Sequence, residues 1–201
     1  GFDFYCVQKM QGMPYDTIVH ETGMKWIPWS PQDRKSYRKG GRVLKGYNND
    51  TITTQALTWL KQTRDPGKPF CLCLHPKPPH QPYAPPKKYE DFLKDVTIPE
   101  PPTLLDDYKG RTPEAIQNLM TPNRIVLAPA FKNHREKLEK ANPKITRNEL
   151  TRMMYQEYIK GYYRLVKSVD DNVGRMLDYL DKSGLADNTL VIYTSDQGFS
   201  L

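Results

Sequence analysis

Two short stretches of this sequence carry side chains able to do chemistry on an anionic ester. The first, His75-Pro76-Lys77-Pro78-Pro79-His80-Gln81-Pro82-Tyr83, sets a lysine and two histidines on a backbone stiffened by proline. A stiff loop suits a catalytic imidazole, because positioning loses little to loop motion. His80 is thereby a candidate general acid, or a hydrogen-bond donor to an anionic ester. The second stretch is Ser195-Asp196-Gln197-Gly198, in which Asp196 and Gln197 offer a carboxylate and an amide oxygen. Both are hard donors suited to Ca²⁺ or Mg²⁺. Each stretch alone also fits a plainer reading: an exposed or structural histidine in one case, an Asp-x-Gly turn in the other.

The elements around them say where these loops belong. Phe70-Cys71-Leu72-Cys73-Leu74 is short and almost wholly apolar, bounded by Pro69 and Pro76. It predicts a strand buried on both faces, with Cys71 and Cys73 as small buried side chains. Thr189 to Thr194 predicts a second buried strand. The two candidate loops thus leave the carboxyl ends of strands, where open α/β sheets gather their ligands. Residues 76 to 102 hold nine of the eighteen prolines, which predicts an extended loop without a hydrogen-bonded ladder.

Helices are predicted from Thr51 to Arg64, capped by Asp50, and from about Leu150 to Lys182. In the second, Tyr155, Tyr158, Ile159, Tyr162, Leu165, Val166, Val169, Val173, Met176, Leu177 and Leu180 fall on one continuous apolar stripe. Gly184 sits where a C-terminal cap glycine belongs. Strand, crossover, helix and strand make a βαβ arrangement, hence an α/β fold with a mostly parallel sheet flanked by helices. Such sheets usually hold about four to six strands, and only two are evident. The expectation is therefore an internal portion of a larger catalytic domain spanning 1–201, with 103–148 as a surface insertion.

In combination the motifs are specific. The run from Lys77 to Tyr83, continuing through Pro85-Pro86 to Tyr89, resembles the K-x-P-H-x-P-[FY] loop of the sulfatase family. Asp170-Asp171-Asn172-Val173-Gly174-Arg175 resembles its V-D-x-x-V-G helix. Gly184-Leu185-Ala186-Asp187-Asn188-Thr189 through Ser195-Asp196-Gln197-Gly198 resembles its strand and metal turn, and Gly46-Tyr47 with Asp50 matches an upstream helix start. The resemblance implies an alkaline-phosphatase-like fold, one Ca²⁺ or Mg²⁺, and hydrolysis of sulfuric esters by a formylglycine nucleophile. It casts Asp196 and Gln197 as metal ligands, His80 as the sulfate contact and proton donor to the departing alcohol, and Lys77 as a second-rank contributor to the sulfate pocket.

Departures count as well. The family forms its nucleophile from C/S-x-P-S-R, and none of Cys6, Cys71, Cys73 or any serine here begins that motif. The paired acidic ligands and the G-K-x-H segment are also absent. Formylglycine is thus expected outside these residues, and the isolated chain is expected to be inactive. A phosphonate or phosphodiester hydrolase of the same superfamily is the nearest alternative.

Composition narrows the partners. Formal net charge is +7, and seven cations between Lys25 and Lys45 face Asp33 alone. With Trp26, Trp29 and Tyr37 interleaved, this segment reads as a basic loop that would suit a sulfated glycan. It also raises the more remote alternative of a non-enzymatic nucleic-acid binder; the motif match argues against nucleic acid as the partner. No apolar run approaches the ~20 residues of a membrane span. Family resemblance implies a periplasmic, extracellular or lysosomal setting. Asn49-Asp50-Thr51 matches a glycosylation sequon.

Overall fold

The computed structural model describes residues 2–8, 12–25, 27, 39–117, 131–196 and 198. The chain divides into two compact units. One comprises Gly1–Tyr89 with Leu165–Tyr193, the other Glu90–Arg164 with Thr194–Leu201.

The first unit is built on an antiparallel sheet that the hydrophobic pattern did not announce. Strands β1 (Cys6–Gln8), β2 (Tyr15–Glu21) and β3 (Arg42–Tyr47) lie in the order β1-β2-β3. Cys6 pairs with Glu21, and Val19 with Arg42. β2 is the central strand, and its run Thr17 to His20 is wholly buried, so no alternation of apolar and polar residues marks it. An irregularity between Tyr15 and Thr17 turns Asp16 to a φ of 49°. There its carboxylate accepts from the Gly46 amide and from Lys45 Nζ, both at 2.9 Å.

β3 runs straight into helix α1 (Asn48–Thr58). Asp50 is not the cap expected from sequence: Tyr47 holds the cap position without a side-chain bond, and Asp50 lies in the first turn. Its charge still suits the positive helix end. The helix loosens into a π turn over Trp59–Thr63 before the Asp65-Pro66-Gly67 stop, where Gly67 N–H binds Asp65 Oδ1. Val19, Leu44 and Ile52 form the core here, with Cys6 and Leu74 packed against it.

Phe70 to Leu74 forms no helix and joins no ladder among the described residues, and Cys71 and Cys73 are exposed. Leu190 to Tyr193 is likewise unpaired, with Leu190 86 % and Ile192 77 % exposed. Both segments were expected to be buried strands. Burial needs a covering layer on each face: Phe70, Leu72 and Leu74 are half-buried, with Leu74 on the Val19–Leu44–Ile52 core, but nothing among the described residues covers the Cys71 and Cys73 side, and Leu190 to Tyr193 is exposed throughout.

In the second unit the proline-rich segment is held by side chains where a ladder is impossible. Gln156 bonds both the N–H and the carbonyl of Ile98, as a neighbouring strand would. Tyr155 donates to Pro99 O, Lys160 to Lys94 O and Arg164 to Phe92 O. These residues come from helix α4 (Arg147–Lys182), which follows α2 (Pro113–Gln117) and α3 (Lys132–Ala141). Residues from Leu165 onward in α4 belong to the first unit. A reciprocal capping box starts α4: Thr146 N–H binds Glu149 Oε2 and Glu149 N–H binds Thr146 Oγ1. Gly184, at φ 68°, ends it, with Leu185 N–H on Leu180 O and Gly184 N–H on Asp181 O. Leu150 and Met154 of α4 pack with Phe131, Leu138 and Ile145, so the end of the stretch read as a surface insertion packs onto the first turns of α4.

Within the first unit, α1 and the later part of α4 meet through polar contacts. Asn172 Nδ2 donates to Asp50 Oδ1, and Arg175 donates to Asp50 O and Thr54 Oγ1. Asn49 of the sequon is 1 % exposed, its amide donating to Ser168 Oγ.

Candidate active site

Lys77 and His80 come together. Both line a small cleft with Tyr47, Asn48, Pro14, Pro78 and other residues of the first unit, with room of about 10 Å³, or about one water. His80 is exposed at its rim and Lys77 is half-buried. The loop that carries them forms no ladder among the described residues, as its prolines dictate. It is closed by one-turn contacts, His80 N–H to Lys77 O and Ala84 N–H to Pro82 O.

The two side chains differ in electrostatics. Partial burial holds the Lys77 ammonium below the ordinary lysine pKa, since desolvation penalises the charged form. His80 Nδ1 lies 2.7 Å from Gln81 O. A carbonyl can only accept, so Nδ1 carries the proton and Nε2 is left to exchange a proton with a ligand.

Tyr47 and Asn48 also line the cleft, and the sequence reading placed Tyr47 only at a helix start. Tyr47 is 6 % exposed, its ring edge-on to Tyr15 at 5.3 Å. Burial pushes its phenol above the usual range, and a hydrogen bond with Ser168 opposes that only in part. Asn48 is locked by Gln8 and by Met13 O, with Nδ2 at 2.6 Å and 2.8 Å from its acceptors. Their nearness to Lys77 comes from a contact between residues some thirty positions apart, which no local motif reports.

The metal-turn residues are less developed. Asp196 lies in the second unit and is exposed; Gln197 falls outside the described residues. Asp196 offers the right donor chemistry for Ca²⁺ or Mg²⁺, but such ions take about six to eight oxygens. No group of three or more His, Cys, Asp or Glu side chains gathers among the described residues. The described residues therefore do not make a complete cation shell.

The basic segment is also partly accounted for. Arg42 and Lys45 belong to β3 and pair with Glu21 and Asp16. Residues 28–38, with Arg34, Lys35 and Arg38, fall outside the described residues.

Comparison with known proteins decides the family, because the Sulfatase family model matches residues 2–201. The chain belongs to the sulfatase family. An N-acetylglucosamine-6-O-sulfatase of Bacteroides thetaiotaomicron is 31% identical over 235 residues, covering 98% of this chain and 41% of that enzyme. The iduronate 2-sulfatase of Homo sapiens is 26% identical over 151 residues, covering 74% of this chain and 25% of its own length. A solved structure in complex with its substrate D-glucosamine-2-N,6-O-disulfate superposes with a TM-score of 0.69 at 26% identity, over 93% of this chain and 42% of that one. This sulfatase chain thus has the expected α/β, alkaline-phosphatase-like fold, and it spans about two fifths of the first of these relatives. No described helix is long and apolar enough to cross a membrane.

Proposed function

We propose that the protein carrying this chain hydrolyses sulfate esters, with the Lys77 to His80 loop at the sulfate. The observation that carries the reading is the meeting of Lys77 and His80 in one cleft of a sulfatase-family chain. The Lys77 ammonium attracts the sulfate oxygens, and protonated His80 donates its Nε2 proton to the departing alcohol oxygen. That proton leaves as part of the alcohol, and the neutral ring regains one from water.

The formylglycine nucleophile lies outside these residues, which in this reading are an internal portion of the catalytic domain. The unpaired runs Phe70 to Leu74 and Leu190 to Tyr193 support it. Asp196, with Gln197, contributes hard oxygens to a Ca²⁺ or Mg²⁺ whose other ligands lie elsewhere. The relatives that act on or bind 6-O-sulfated glucosamine favour a sulfated amino sugar as the substrate class.

Kinetics of the full-length protein on an aryl sulfate and on glucosamine 6-sulfate test this. His80→Ala should lower kcat about 10² to 10⁴-fold, the usual range for a lost general acid. Lys77→Arg should keep activity and move the alkaline limb of the pH profile upward, because a guanidinium holds its proton where the depressed lysine loses it. The 201-residue chain alone should show no turnover. Wild-type kcat in His80→Ala would sink the assignment. A second reading, phosphoester hydrolysis, is favoured by a 29% identical multifunctional alkaline phosphatase superfamily protein of Trinickia caryophylli; higher kcat/KM on an aryl phosphodiester than on the sulfate would select it.

A further inference from the structure

Three successive residues just after the Lys77 to His80 loop are each held by a different element of the first unit. The Lys87 amide donates to Tyr15 Oη of β2 at 3.2 Å. Lys88 Nζ sits 3.3 Å from Asp50 Oδ2 of α1. The Tyr89 hydroxyl donates to the Asp171 carboxylate of α4, which also accepts from Lys167 Nζ. The loop needs such an anchor. Between Leu74 and Lys87 it pairs with no strand among the described residues, and six prolines remove amides that would otherwise fix it.

The anchor also reaches the cleft. The Tyr15 ring that holds Lys87 packs edge-on against Tyr47, which lines the cleft with Lys77 and His80. Asp50 is fixed in turn by Asn172 and Asp171 by Lys167, so the acceptors are not free to follow the loop.

We infer that Tyr15 and Tyr89, the latter through Asp171, are positioning residues that set where Lys77 and His80 stand. Neither hydroxyl touches the reacting atoms. Their effect passes through the backbone of residues 85–89. The catalytic consequence rests on the function proposed above; the anchoring itself does not.

Hydrogen exchange on the full-length protein reads the anchor directly, at the amides of Lys77, His80, Gln81, Tyr83 and Ala84. Tyr15→Phe and Tyr89→Phe each remove one hydroxyl and leave the ring, and should speed that exchange about fivefold to tenfold, as expected for losing one hydrogen bond. Asp171→Asn keeps an acceptor and should lie nearer wild type than Asp171→Ala. Tyr155→Phe, whose hydroxyl bonds Pro99 O in the other unit, should leave these amides unchanged. Exchange at the wild-type rate in both tyrosine variants would overturn the inference, as would equal effects from Tyr155→Phe. In the same variants kcat on an aryl sulfate should fall several-fold with KM little changed, and the pH profile should keep its shape. Faster exchange with unchanged kcat would uphold the anchor and remove the loop from the sulfate site.

Discussion

At the scale of single residues, the three cysteines show how environment overrides type. Cys6 packs beside Glu21, with its Sγ 3.6 Å from Oε1, and burial first, then that carboxylate, pushes its pKa up to about 12. Cys71 and Cys73 are exposed, although an apolar run had marked them as buried. Alkylation at pH 8.5 followed by peptide mass spectrometry should therefore label Cys71 and Cys73 first. Cys6 should lag by roughly several hundredfold, since the thiolate is the reactive form and raising the pKa from 9.0 to about 12 leaves little of it at pH 8.5. Because its folded pKa is raised, the stability that Cys6 contributes as a neutral thiol is whole below the ordinary value of 9.0 and is lost as pH rises toward about 12. Legibility differed in the same way at the site. Lys77 and His80 stood out because proline spacing marks them locally, whereas Tyr47 and Asn48 reach the cleft only through tertiary contact.

At the scale of elements, helices were legible and sheets were not. α4 buries or half-buries the residues of its apolar stripe except Val166 and Leu177, which stand exposed, and Gly184 ends it at a positive φ, because caps and periodicity are written within a few residues. The β1-β2-β3 sheet escaped notice because β2 is buried on both faces over four residues and β1 is only three residues long. The cap chemistry makes its own prediction. Thr146→Ala should cost about 1 kcal/mol, and Gly184→Ala about the same through strain at its positive φ alone. Urea denaturation at pH 7 measures both. Thr146 holds the Glu149 carboxyl below its ordinary 4.5. Its support of α4 is present above that value and fades as pH falls below it, so helical signal in Thr146→Ala should be less sensitive to acid than in wild type.

At the scale of the whole molecule, the exposed run Leu190-Val191-Ile192-Tyr193 is the largest departure from expectation. It offers unpaired backbone and four apolar side chains, an open invitation to pair with another chain. The isolated chain should self-associate with rising concentration, and sedimentation velocity should show Ile192→Lys shifting it toward monomer. Equal association in both would mean that another surface is responsible. The fold class was legible because motif order along the chain is a global signal. The pairing of its apolar runs was not, since a strand's partner is nowhere encoded in the strand.

Burial of Asn49 carries a consequence for any host that attaches glycans. Its amide nitrogen is spent on Ser168, and its Oδ1 is enclosed without a hydrogen-bond partner among the described residues, so no transferase could reach the sequon once α1 has docked on α4. A sugar at Asn49 would have to arrive while the chain is still open, and would then bar the two helices from closing. Glycan occupancy at that asparagine would therefore serve as a chemical record of molecules that lingered unfolded.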